Sequence, residues 1–279
     1  MPARYFVVDV FAREPLAGNA LAVFPDPGSV HPSLMQKIAR ETNLSETTFV
    51  TAIRDEGYDV RIFTPFEEMP FAGHPTLGTS WTLKHLGVIS REPVIQRSPA
   101  GETPVTFEQG RVWLERSGTT SDDIKNIDRI VEALGISESD VGFKATLICG
   151  SSAKLRPAKA DAGIPILIVP LANPGIVASL SIPMSVEVAG GVYCIAPLAP
   201  GRIKARFFAP GLGVMEDPAT GGAAAALGVY LGARVGNIDV EIEQGAEIAR
   251  PSLISLSAGP GRARVGGAVH LVLEGSLVL

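Results

Sequence analysis

One short pattern occurs twice and constrains everything else the chain can do. Arg61-Ile-Phe-Thr-Pro65 leads into Pro70-Phe-Ala-Gly-His-Pro-Thr-Leu-Gly78, and Arg206-Phe-Phe-Ala-Pro210 leads into Glu216-Asp-Pro-Ala-Thr-Gly221. Both copies run Arg-x-Phe-x-Pro, a short turn, a polar residue before proline, then small residues. The first predicts a helix over Pro75–Leu86, with Pro75 at the first position, where its missing N–H costs nothing, and Gly87 just past the end. The second predicts a helix over Pro218–Leu231, a stretch with no charged residue. A helix that is small and apolar all round has no solvent face, so it must be buried on every side. It is also too short to cross a bilayer.

Around these helices the sequence offers short strand-like runs: Tyr5–Val10, Leu21–Phe24, Thr47–Val50 and Val60–Phe63, then Ile164–Val169, Val192–Ile195 and Ile203–Phe208. Looser echoes support duplication. The amphipathic Ser33–Arg40 precedes Leu44–Val50 as Asp122–Leu134 precedes Ile136–Val141, and hairpin-like runs over Val105–Leu114 and Ala268–Leu279 close each half. A length of 279 residues suits two domains of about 140 each, and 30 Gly with 22 Pro favour turns and short strands. The expected fold is α+β: two pseudo-symmetric halves, each a strand-rich, barrel-like wrap around one central helix. The polar Ser117–Asp122 marks the boundary, giving an N-terminal half over 1–117 and a C-terminal half over 118–279. Gly78, Gly221, Gly222 and Gly228 would let strands approach the helices.

If a pseudo-two-fold axis relates the halves, the two helix starts can face each other. Each start presents unpaired N–H groups and a partial positive charge, which together suit a carboxylate or phosphate. Other partners are disfavoured. With 24 Lys+Arg against 29 Asp+Glu and no basic block, neither nucleic acid nor an anionic membrane is expected. The N-terminal residues read as a first strand and not a signal peptide, so a cytoplasmic protein is expected. Cys149 and Cys194 lie in apolar, strand-like runs and read as small buried hydrophobes. No Cys/His spacing suggests a metal. Gly18-Asn19-Ala20 lacks the strand–helix context and the lysine of a nucleotide loop.

Five stretches together resemble the PhzF-type phenazine-biosynthesis isomerases: Asp9-Val-Phe-Ala…Pro15-Leu-Ala-Gly-Asn19, Asn43–Phe49, Arg61–Pro65, Pro70–Thr79 and Glu216–Gly221. They come in the family's order and span both halves. The resemblance implies the diaminopimelate epimerase-like fold, a homodimer, and cofactor-free acid–base isomerisation of a small cyclic carboxylic acid. By motif, Glu46 of Asn-Leu-Ser-Glu is the implied proton shuttle, and His74 and Asp217 line the site. Asn19, Gly73, Thr220, Gly221 and Gly222 are the implied substrate contacts. One position departs: Gly222 stands where family members commonly have Ser, so the phenazine precursor itself becomes a less secure substrate.

Taken singly, these residues also have plainer roles. Glu46 fits an exposed strand position, His74 a satisfied helix-start histidine and Asp217 an N-cap. A carboxyl flanked by Leu44 and Phe49 can, however, have its pKa raised toward neutrality, where one group both removes and returns a proton. His74 matches Asp217 as the polar residue before proline, and such a pair favours a site. His85 near a helix C-terminus reads as structural, His31 as a loop residue and His270 as exposed. Two-cysteine racemases need a thiol at each helix start, and none is there. A proton-transferring isomerase and a non-catalytic carboxylate binder therefore remain.

Overall fold

The computed structural model describes residues 2–183 and 190–278. They form two compact units, one made of Met1–Glu115 with Gly266–Leu279, the other of Arg116–Val265.

The first unit contains β1 (Ala3–Val10), β2 (Asn19–Phe24), α1 (Pro32–Thr42), β3 (Glu46–Arg54), β4 (Gly57–Phe63) and β5 (Glu68–Met69). It continues with α2 (Gly73–His85), β6 (Val94–Ser98), β7 (Gly101–Glu108) and β8 (Arg111–Ser117). The second unit opens with β9 (Thr119–Thr120), α3 (Asp128–Leu134), β10 (Phe143–Lys144), α4 (Thr146–Cys149) and β11 (Lys154–Leu155). Then follow β12 (Ala158–Asp161), β13 (Pro165–Pro170), α5 (Pro174–Ser179), β14 (Val192–Ala199), β15 (Arg202–Ala209) and β16 (Val214–Asp217). It ends with α6 (Gly221–Val235), β17 (Ile238–Gln244), β18 (Ser252–Gly259) and β19 (Arg262–Gly267), and the last strand is β20 (Val269–Leu277).

The two units repeat one connectivity. β2 runs parallel to β3 with Leu21 opposite Glu46, and β13 runs parallel to β14 with Leu167 opposite Val192. Antiparallel β3–β4 matches β14–β15, and the short antiparallel β5 matches β16. Each unit then inserts its central helix, and the chain returns parallel, β6 beside β4 and β17 beside β15. The repeated Arg-x-Phe has a physical meaning here. Residues two apart share one face of a strand, so Arg61 lies over the Phe63 ring at 5.0 Å and Arg206 over Phe208 at 4.8 Å. Each arginine then grips the following short strand through a two-pronged bond, Arg61 to Glu68 at 2.7 and 2.6 Å, Arg206 to Glu216 at 2.8 and 2.7 Å.

Both central helices are buried, α2 through most of His74–Leu83 and α6 along almost its whole length up to Gly232. Close packing requires glycine at Gly78, where a Cβ would come within 2.6 Å of Leu21 Cδ2, and at Gly228, where it would meet Ala263 Cβ at 2.5 Å. At Gly222 the same atom would meet nothing within 4 Å, so that glycine serves no close approach.

Several expectations need correction. Helix α2 starts at Gly73, not Pro75, and Pro75 is its third residue; first-turn N–H groups have no helical partner, so proline fits there equally well. Helix α6 starts at Gly221, leaving Pro218 outside it. Counting from these starts, His74 matches Gly222, and Asp217 matches Met69; His74 and Asp217 are not equivalents. The helix standing between parallel strands in the second unit is α5, so Asp122–Leu134 does not match α1, and only Asp128–Leu134 of it is helical. The final strand does not close the C-terminal half: β20 pairs with β1 over Ala3–Val10, which places Gly266–Leu279 in the first unit. Cys149 is exposed at the end of α4, whereas Cys194 is buried on β14. His31 caps α1 by accepting the Ser33 N–H at 3.3 Å, and His270 is half-buried opposite Asp9.

Candidate functional site

In the first unit the parallel register of β2 and β3 sets Glu46 at the mouth of β3, across from Leu21 and two residues along from Asn19, which opens β2. His74, the second residue of α2, brings its Nε2 to 3.2 Å from Glu46 Oε2. On the other side of the ring, Asn19 Nδ2 lies 3.4 Å from His74 Nδ1. An amide nitrogen only donates, so Nδ1 is the acceptor and the ring proton sits on Nε2, facing the carboxylate. Burial pushes the His74 pKa down from 6.5 to about 3. The imidazole is therefore neutral at pH 7, and its approach to Glu46 is a polar contact of a neutral ring. Its Nε2–H is imperfectly aligned for a full hydrogen bond. Glu46 keeps 18% of its side chain exposed against 6% for His74. The carboxylate reaches outward and the histidine backs it.

The second unit has a different cluster. Thr220, the residue before α6, does not cap its own helix; its hydroxyl donates to Asp217 Oδ2 at 2.5 Å. Gln244 at the end of β17 donates to the Asp217 carbonyl at 2.8 Å and to Thr220 Oγ1 at 3.1 Å. Its own oxygen accepts from Tyr193 at 2.9 Å. Burial, helped by the nearby Asp217, raises the Tyr193 pKa, so the phenol keeps its proton. Behind Asp217, the Arg206–Glu216 pair fixes β16, with both side chains at most 7% exposed.

The two helix starts differ in what they offer an anion. Neither has a side-chain cap. In α6 the first intrahelical bond comes from Ala224 to Thr220 at 2.9 Å, leaving the N–H groups of Gly221, Gly222 and Ala223 without helical partners. In α2 Pro75 has no N–H, so only Gly73 and His74 present one. Among the described residues, no group of three or more His, Cys, Asp or Glu is arranged to hold a metal ion.

A family model described as phenazine biosynthesis-like protein matches residues 8–275. The chain belongs to that family. A trans-2,3-dihydro-3-hydroxyanthranilate isomerase from Pseudomonas fluorescens is 36% identical over 276 residues, covering 93% of this chain and 91% of that protein. The solved structure of a PhzF-family phenazine biosynthesis protein from Bacillus anthracis superposes with a TM-score of 0.83 at 20% identity, covering 100% of both chains. A hydroxyproline epimerase from Agrobacterium vitis shares the fold at a TM-score of 0.61 and 12% identity, over 99% of this chain and 92% of its own. The protein is thus a PhzF-type isomerase with a diaminopimelate epimerase-like fold.

The PhzF motifs bring Glu46, His74 and Asn19 together, and separately Asp217 and Thr220. Asn19, expected against substrate, is 0% exposed and stands behind the histidine ring. Sequence reasoning missed Gln244, which reaches Thr220 and Asp217 across 24 and 27 residues, and Tyr193, which reaches Gln244 across 51. Nothing in their local sequence announces that role. The Cys194 thiol, pushed up to about 12 chiefly by burial, stays protonated, and no cysteine stands at either helix start.

Proposed function

We propose that this PhzF-type isomerase moves a proton between two carbons of a small cyclic carboxylic acid, with Glu46 as the acid–base group. The observation that carries the reading is the Glu46–His74 contact: a carboxylate at 18% exposure, backed by a buried neutral imidazole whose proton faces it. In the forward step Glu46 takes a proton from a ring carbon and the electron pair left behind shifts the double bond. In the second step the same carboxyl delivers that proton to another carbon on the same face. Atoms and charge balance without oxidant, metal or nucleophile. His74 backs the carboxylate with its Nε2 edge at 3.2 Å, and a small turn of the ring would let Nε2–H donate to Glu46 during the reaction. Within the second unit, the N–H groups of Gly221, Gly222 and Ala223 suit a carboxylate, and Asp217 suits a donor such as an amino group, since an ionised carboxylate beside another would repel it.

The named substrate of the Pseudomonas fluorescens relative, trans-2,3-dihydro-3-hydroxyanthranilate, carries both a carboxylate and an amine and is the first compound to test. Positioned acid–base catalysis is worth about 10²–10⁴-fold. Glu46→Gln keeps the shape and removes the titrating group, so turnover should fall by about that factor while binding, followed by calorimetry, persists. In D₂O the wild type should place deuterium at the newly protonated carbon whenever Glu46 exchanges with solvent. Full activity of Glu46→Gln would remove Glu46 from this role. Gly222 supports a second reading, since the space beside it is open and holds no hydroxyl, where the resemblance implies a serine. Tight binding of cyclic β,γ-unsaturated acids with no turnover of any of them would favour a carboxylate binder.

A further inference from the structure

Both central helices begin against the same three-residue chain of hydrogen bonds. In the first unit, buried Tyr58 donates to Gln96 Oε1 at 2.9 Å, and Gln96 Nε2 donates to Thr76 Oγ1 at 2.8 Å. Thr76 must then spend its one hydroxyl proton on an acceptor, and it does so on the Ala72 carbonyl at 2.8 Å. In the second unit, Tyr193, Gln244 and Thr220 form a chain of the same three residue types, the glutamine again on the strand that follows the helix. Tyr193 stands on β14 and Thr220 precedes α6, however, where Tyr58 stands on β4 and Thr76 lies inside α2. The end of the chain differs. Thr220 delivers its proton to the carboxylate of Asp217 and not to a carbonyl.

The orientation of Gln244 is fixed by chemistry. The Asp217 carbonyl only accepts, so Nε2 faces it and Oε1 faces the Tyr193 hydroxyl. Nε2 also donates to Thr220 Oγ1, which leaves the threonine proton no direction but Asp217. Gln244 is 1% exposed and Tyr193 0%, so the bond between them is shielded from water. We infer that Gln244, held by Tyr193, is a positioning residue that aims the Thr220 hydroxyl at Asp217 and so fixes where that carboxylate points. The inference about geometry stands on the bonds alone; its bearing on turnover rests on Asp217 acting in the site as proposed above.

Gln244→Glu tests it directly. The new carboxylate can still accept from Tyr193, but it cannot donate to Thr220; it accepts from Thr220 instead and draws the hydroxyl away. A crystal structure at pH 8 should show Thr220 Oγ1 more than about 3.5 Å from Asp217 Oδ2, beyond hydrogen-bonding range. If the contact survives unchanged, the inference is overturned whatever the activity. With trans-2,3-dihydro-3-hydroxyanthranilate, kcat/KM should fall about 10- to 100-fold, as for a misplaced site group. It should recover as the pH is lowered, because a protonated carboxyl can again donate to Thr220; a group that only supports the fold gives no such recovery in protein shown to be folded at each pH. Adding Gln244→Glu to Asp217→Asn should cost nothing further, and a full additive loss would overturn the link to Asp217. An Asp217→Asn enzyme with undiminished kcat/KM would instead remove Asp217 from the site while leaving the structural result to judge Gln244. Should Gln244→Glu not fold, uncharged Gln244→Met takes its place, with the same distance and the same non-additivity as readouts.

Discussion

His74 serves two demands that oppose each other. Helix packing buries it to 5% exposure, which disfavours the imidazolium, yet the nearest acid, Glu46, would favour that charge. Burial wins and brings the pKa from 6.5 to about 3. The unfolded chain therefore takes up a proton near pH 6.5 that the folded chain refuses until about pH 3. The stabilisation from a neutral His74 is complete above pH 6.5 and is lost progressively as the pH falls toward 3, at about 1.4 kcal/mol per pH unit. Urea unfolding at pH 7, 6 and 5 should show that slope, and His74→Gln should flatten it. A wild type as stable at pH 5 as at pH 7 would mean the imidazole titrates freely when folded. Asn19 belongs to the same economy of protons. Its motif suggested a substrate contact, but at 0% exposure its amide instead meets Nδ1 and leaves the proton on the nitrogen facing Glu46. Sequence could identify the residue but not the side of the ring it occupies.

The central helices were legible because a segment with almost no charge has only one place to go. Their starts were not. Proline is tolerated at any of the first positions that lack a helical acceptor, so Pro75 and Pro218 looked alike although one lies inside its helix and the other before it. That ambiguity made His74 and Asp217 seem to be counterparts, when the structural counterpart of His74 is Gly222. Glycines were equally ambiguous, and packing separates them. A Cβ on Gly232 would lie 2.1 Å from the Gly259 carbonyl oxygen, a backbone atom that cannot swing aside, whereas one on Gly222 meets nothing within 4 Å. Gly232→Ala should destabilise by about 1–3 kcal/mol or more despite alanine's better helix propensity. Gly222→Ala should be neutral or stabilising by up to about 1 kcal/mol. Denaturant midpoints at constant m-value give the comparison; equal effects at the two positions would mean that β18 yields to α6.

At the scale of the whole molecule, the first unit is built from both ends of the chain. β1 lies between β2 and β20, with Ala3 opposite Leu277 and Val10 opposite Val269. Alternating residues near the C-terminus revealed a strand but not its partner, because strand pattern carries no information about a neighbour almost a full chain length away. The division of the sequence near Ser117–Asp122 therefore captured one boundary and missed the return at Gly266. Bringing the ends together costs chain entropy that must be met before β1 and β20 repay it, and such non-local pairing slows folding. Since β20 ends beside the start of β1, a linker of a few residues from position 279 to position 1 can make this pairing local. New ends then fit the β7–β8 turn at Gln109 and Gly110, two exposed residues at positive φ. This permutant should melt within a few degrees of the parent, keep its turnover, and refold faster in stopped-flow dilution from urea. Slower refolding with native stability would place β1–β20 pairing after the rate-limiting step; an insoluble product would show that the β7–β8 hairpin must be covalently closed for the first unit to form.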